Sequence, residues 1–156
     1  MRSPILLLAA AALDSSAASA GPFPRTSLLL VGFREATVAD FAGTPGEAAR
    51  RADPNGLMAV SGDFNGDGRT DEARILLNEA DGTAYVVAAI EREAKLDTYV
   101  LLPGSLEDAA NIAIRLAPPK AAGGNPGIAI FTFSDGESAG IRSDFDGDGF
   151  TDGPLH

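Results

Sequence analysis

The alternation of apolar and polar positions changes character near residue 55. Before it, Val38, Phe41, Ala48 and Ala49 recur at helical intervals across residues 35–52. Gly43-Thr44-Pro45-Gly46 interrupts that side, so the pattern predicts two short helices with Pro45 near the start of the second. Asp53-Pro54-Asn55-Gly56 is a turn signal. After it, short runs rich in Val, Ile, Leu and Tyr predict strands at 57–61, 73–78, 83–90, 98–102, 111–116 and 128–133, with a weaker one at 138–143. Within 111–116 the alternation puts Ile112, Ile114 and Leu116 on one face and Ala113 and Arg115 on the other. Pro103-Gly104 is expected to end one strand, and residues 118–126 to form a Pro- and Gly-rich loop.

Only 105–110 is long enough for a crossover helix after residue 57, and parallel pairing needs crossovers. The expected fold is therefore α+β, mainly β. It is an antiparallel sheet or meander of about six or seven short strands, with one or two short N-terminal helices packed on one face. The helical part is too short to bury a core alone, so residues 21–156 read as one domain.

Residues 1–20 read differently. Arg2 supplies a positive start, 5–13 is an unbroken apolar run, and Ala18-Ser19-Ala20 is a small-x-small cleavage pattern. This is the form of a secretory signal peptide cut near Gly21, and the run is too short to span a bilayer. The expected location is periplasmic or secreted, with no stable membrane insertion after cleavage. The chain has no Cys, which removes disulfides, thiolate ligands and Cys nucleophiles. Its one His is His156, so no internal imidazole exists.

Twelve basic residues face 22 acidic ones, a formal net charge of −10. That balance disfavours nucleic acid, whose binders carry Lys and Arg against phosphate. The excess is local: residues 63–72 and 144–152 hold eight of the acidic residues and one of the basic ones.

These two segments carry the candidate chemistry. The first is Gly62-Asp63-Phe64-Asn65-Gly66-Asp67-Gly68-Arg69-Thr70-Asp71. Asp63, Asn65 and Asp67 place oxygen side chains at alternate positions, Gly68 allows a sharp turn, and Asp71 follows. Ca²⁺ takes six to eight oxygens at about 2.3–2.6 Å, and three carboxylates in so small a volume repel unless a cation sits among them. The expected ligands are Asp63, Asn65, Asp67, the backbone oxygen of Arg69, and Asp71. The second segment, 81 residues later, has Asp144, Asp146, Asp148 and Asp152, with Phe150 at the backbone-oxygen position. Few residues follow Asp152, leaving little chain for a closing strand, so this segment reads either as an ion loop or as a bare hairpin turn. Phe64 and Phe145, each just after the first Asp, are expected to pin the loops to the sheet.

An EF-hand would carry a bidentate Glu at its twelfth position, where this chain has Arg74 and Leu155. The pattern G-D-F-N-G-D-G-x-x-D followed by a strand instead resembles the calcium loops of VCBS and FG-GAP repeat proteins. The likeness spans Val60 to Arg74, is at loop level, and lacks the Phe-Gly and Gly-Ala-Pro pair. It implies an ion that stiffens a connection between two strands. Without a twelfth-position Glu the expected dissociation constant is on the order of 10⁻⁴–10⁻³ M.

No Ser-elbow, zincin or phosphate-loop motif is present. The resulting expectation is an exported, non-catalytic Ca²⁺-binding domain whose partner is another protein or a surface glycan. The alternative class is a small secreted hydrolase or enzyme inhibitor working through carboxylates not marked by any motif.

Overall fold

The computed structural model describes residues 30–134 and 140–155. The expected signal peptide and the turn at Asp135-Gly136 lie outside the described residues. Among the described residues the protein is mainly β, with nine strands in two antiparallel sheets and few short helices.

The first sheet is built on a meander of β3 (Asp71–Asn78), β4 (Thr83–Arg92) and β5 (Lys95–Ser105). Two shorter strands, β1 (Arg34–Glu35) and β2 (Ala59–Gly62), pair end to end along the free edge of β3. The second sheet is a meander of β6 (Ile112–Ala117), β7 (Gly127–Thr132), β8 (Ile141–Phe145) and β9 (Phe150–Pro154). The expected N-terminal helices appear as a short 3₁₀ helix (Val38–Phe41) and α1 (Glu47–Ala52). A further helix, α2 (Leu106–Asn111), carries the chain from the first sheet to the second. Its start follows from Ser105, whose Oγ accepts the Asp108 N–H at 3.1 Å while the Asp108 carboxylate accepts the Ser105 N–H at 2.9 Å.

One core is shared by both sheets. Ala73, Ile75 and Leu77 of β3 face Ala88, Val86 and Ala84 of β4, and these meet Ile114, Ile128 and Ile130 of the second sheet. The backbone N–H of Ile114 donates to the Leu57 carbonyl at 2.8 Å and ties the two sheets. The opposite face of the first sheet holds a smaller cluster, Leu76, Val87 and Ala89, with Phe33 stacked on Tyr85 at 4.7 Å.

Two expectations need correcting, while the faces expected along 111–116 stand. The single sheet is two, because alternation reports which face is buried and not which strands pair. Pro103-Gly104 does not end β5, which runs through to Ser105. β5 is an edge strand of its sheet, so a missing proline N–H on the open side costs no ladder bond. On β6, Ala113 and Ala117 are buried while Leu116 is 45% exposed. Leu116 rests at the rim beside Gly62, where an added Cβ would come within 3.0 Å of it. The alanines are on the other face, alongside Phe131 and its overlying Arg115 guanidinium, 5.5 Å from ring centre.

Candidate functional site

The first acidic segment connects β2 to β3, and the ladder stops at the pair Gly62↔Asp71. Residues 63–70 therefore stand as an eight-residue loop. Asp63 organises it. One carboxylate oxygen accepts the N–H groups of Gly66 and Asp67 at 2.7 and 3.0 Å, and the other accepts that of Gly68 at 2.8 Å. Such wrapping needs left-handed backbone, and Gly66 and Gly68 have φ of 77° and 82°. Asn65 Oδ1 accepts the Asp67 N–H at 3.0 Å, and Asp67 Oδ1 accepts the Arg69 N–H at 2.8 Å. Asn65 Nδ2 donates to Asp67 Oδ2 at 3.0 Å. The side chains of Asp63, Asn65 and Asp67 are thus gathered on one short coil.

Asp71 is placed differently. It is fully buried, and its two oxygens accept the N–H of Phe64 at 2.8 Å and of Glu91 at 2.8 Å. Burial pushes its carboxyl above the ordinary aspartate range, against the opposing pull of the Glu91, Phe64 and Asn65 N–H groups. Asp71 closes the loop by fastening its beginning and by reaching the end of β4. Phe64 is also fully buried and joins the shared core, as its pinning role requires. The Arg69 side chain leaves the loop toward Glu91, with Nη1 at 3.8 Å from the carboxylate. Glu72 turns to the other face of β3, where Arg74 holds it at 3.0 Å.

The second segment starts from the same register and ends elsewhere. Ser143↔Asp152 matches Gly62↔Asp71 position for position, but here the ladder continues through Asp144↔Thr151 and Phe145↔Phe150. The chain after Asp152 suffices for the closing strand β9. The tip shrinks to the four residues 146–149, with Gly147 at φ 107° and Asp146 N–H donating to the Gly149 carbonyl at 3.0 Å. Alternation along the hairpin then separates the acids. Asp144 pairs across from Thr151, whereas Asp152 pairs across from Ser143 and shares a face with Phe150. Asp152 accepts the Ser143 hydroxyl at 2.5 Å. Asp144 accepts from Arg142 Nε at 2.8 Å and lies 2.7 Å from Lys120 Nζ. Desolvation raises the Asp144 carboxyl, but these two cations outweigh it and hold the group below its ordinary range. Asp146 Oδ1 takes the Gly149 N–H at 3.0 Å, while the exposed Asp148 presents its backbone carbonyl to Tyr99.

The two segments, distant in sequence, meet in space. The Phe64 and Phe150 rings lie edge to face at 6.4 Å, and Phe150 also contacts Phe145 at 5.3 Å and Tyr99 at 5.5 Å. Arg92, next to the Glu91 that Asp71 holds, donates to the Gly147 carbonyl at 3.1 Å. The Tyr99 hydroxyl donates to the Asp148 carbonyl at 3.3 Å. Sequence reasoning missed Arg92, Tyr99, Lys120 and Arg142 here. Only Arg142 carried a signal, since a strand places it on the face of Asp144 two residues on.

The donor chemistry of the first loop fits a hard cation: acidic and amide oxygens from Asp63, Asn65 and Asp67 retain lone pairs beyond those used by the loop. Among the described residues, no three Asp, Glu, His or Cys side chains converge as a preformed ion cluster. The second segment fits less well, because its acids are split between two faces and Asp144 already has two cationic partners.

Two further hollows carry titratable groups. A cleft of about 290 Å³ lies between α1 and β3, beside Glu35, Arg51, Asp53 and Arg74. Its acids and bases are mixed, with Arg74 bound to Glu35 at 2.5 Å. Another, of about 470 Å³, carries Glu107 and Asp108, and Asp108 is engaged in capping α2. Comparison of the chain with family models, with curated proteins and with solved structures finds no match.

Proposed function

We propose that the chain is an exported, non-catalytic β domain that takes one structural Ca²⁺ at the loop between β2 and β3. Its working role is then interaction, with another protein or a surface glycan, through a surface that the ion keeps in shape. The observation that carries this reading is the loop's own arrangement. Asp63, Asn65 and Asp67 are wrapped together by a carboxylate-centred coil with two left-handed glycines, and Asp71 anchors that coil into the core. Two carboxylates and an amide oxygen on one short coil are the donor set a hard cation takes. Asp63, Asn65, Asp67 and the Arg69 carbonyl would hold the ion. Asp71 would contribute directly or through water. The ion supplies a positive centre that fixes the loop; no reaction is assigned to it.

The test is thermal unfolding in Ca²⁺ and in chelator. With a dissociation constant near 10⁻³ M, 10 mM Ca²⁺ stabilises by about 1.4 kcal/mol, several degrees for a domain of this size. Asp67→Ala is expected to remove most of the shift, and Asp148→Ala much less. Identical melting curves with and without Ca²⁺ reject the reading.

A further inference from the structure

We infer that the β8–β9 hairpin braces the first acidic loop, and that Asp71, Arg92 and Phe150 are the positioning residues that link the two. The inference rests on the Ca²⁺ reading of the first loop and deepens it. The loop and the hairpin are connected along two routes. One is polar. Asp71 holds Phe64 N–H at the start of the loop and Glu91 N–H at the end of β4, each at 2.8 Å. The adjoining Arg92 reaches the hairpin tip at the Gly147 carbonyl, 3.1 Å away. The other route is aromatic. Phe64 is followed by Phe150 and then by Tyr99, whose hydroxyl ends on the Asp148 carbonyl. A shift of the loop backbone at Phe64 must therefore move a fully buried ring, and that ring bears on the hairpin.

The hairpin is suited to bracing by its own bonds. Its acids do not converge, and Arg142, Lys120 and Ser143 engage two of them. What it offers the loop is backbone carbonyls for Arg92 and Tyr99 and an aromatic face for Phe64. In this arrangement the chain takes one ion, at the first loop, and filling it tightens the tip of the hairpin.

The chain contains two Tyr and no Trp, which provides a probe. Tyr85 lies on the opposite face of its sheet, stacked on Phe33, so in Tyr85→Phe all tyrosine emission comes from Tyr99 beside the hairpin tip. In that background, Ca²⁺ titration is expected to change the Tyr99 signal with the same midpoint as the thermal shift. Arg92→Gln, which also gives up the ion pair with Asp97 at 3.1 Å and the contact with the Phe145 ring, is expected to raise the midpoint by about three- to tenfold and to lower the chelator melting curve only slightly. Asp148→Asn is expected to leave both midpoint and one-ion stoichiometry as they are. A Ca²⁺-dependent thermal shift with a silent Tyr99, or with an Arg92→Gln midpoint equal to that of the parent, overturns the brace and leaves the Ca²⁺ site standing. Two bound ions, one lost in Asp148→Asn, also overturn it. No thermal shift and no Tyr99 response overturn both.

Discussion

At the scale of single residues, the most unusual group is Arg50. It is fully buried, with its guanidinium 4.1 Å from the Phe41 ring centre and 5.0 Å from that of Phe133. It donates to the carbonyls of Ala109, at 3.2 Å, and Ile112 at the C-terminal end of α2. Burial brings its pKa down to about 10, still far above neutrality, so it stays charged. The cation thus sits at the C-terminal end of a helix and adds a charged donor to the Ala109 carbonyl, which also accepts the Ile112 N–H. Arg50→Met keeps much of the volume and removes a buried charge, which favours the variant, but it takes the charged donor from both carbonyls and the cation from the two rings. A net loss of about 1–3 kcal/mol is expected in urea unfolding; an unchanged or higher midpoint would reject the capping role. A surface carboxylate gives a pH signature. Asp40 accepts from Arg34 at 2.7 and 2.9 Å and from the Thr37 N–H at 2.7 Å, which holds its carboxyl well below the usual range. A depressed carboxyl stabilises fully above its unfolded value, about 3.9, and loses that contribution as pH falls through the folded value. Asp40→Asn should therefore narrow the stability difference between pH 7 and pH 3, by a modest amount because solvent screens the pair. An equal difference in both proteins would remove Asp40 from the acid response.

Among the elements, the informative comparison is between the two acidic connections. Both share the register Gly62↔Asp71 and Ser143↔Asp152, yet one opens there into an eight-residue loop and the other zips on to a four-residue tip. The position that differs most is Arg69 in the first and Phe150 in the second. Phe150 faces Phe145 across the hairpin at 5.3 Å, and such cross-strand aromatic pairs favour closure. The corresponding pair in the first segment would be Phe64 and Arg69. Instead, Phe64 enters the core and Arg69 turns to Glu91. Arg69→Phe is expected to extend the β2–β3 ladder toward its tip and to reduce Ca²⁺ stabilisation by at least half. Amide exchange at residues 64–70 checks this, and unchanged protection with full Ca²⁺ stabilisation would show that the residue at position 69 does not decide the form. Element existence was largely legible in the sequence: the strands at 73–78, 83–90 and 128–133 and the two N-terminal helical turns follow from period and breakers. So was the chemistry of both loops. Their different shapes were not, because Tyr99 on β5 and Lys120 in the β6–β7 loop come from elsewhere in the chain, and short-range pattern carries no record of them. β1, with two residues, is too short for any periodicity.

For the whole molecule, the acidic balance acquires a location. The first loop, the end of β4 and the tip of the second hairpin gather at one place, joined by Asp71, Arg92 and Phe150. Among the described residues elsewhere, several acids are paired, as Glu35 and Glu72 are with Arg74, or cap helices, as Asp108 does. What the sequence could not disclose was the division into two sheets. That depends on which apolar faces meet, and Ile75 or Val86 has the same composition and spacing whichever partner it finds. The shared core answers it: the faces of β3 and β4 close on Ile114, Ile128 and Ile130, and α2 makes the passage between them.

The order of pairing also bears on how the chain reaches this state. Apart from β1 with β3, every ladder joins strands that are consecutive in sequence. Each sheet can therefore be assembled by closing short loops in turn, and such closures carry the smallest entropic cost. The step left for last is association of two preassembled meanders. Phe150 meets Phe64 and Tyr99 across the two sheets, so this topology predicts that the acidic end closes only with that association; faster amide exchange at 146–149 than in β3 and β4 checks it.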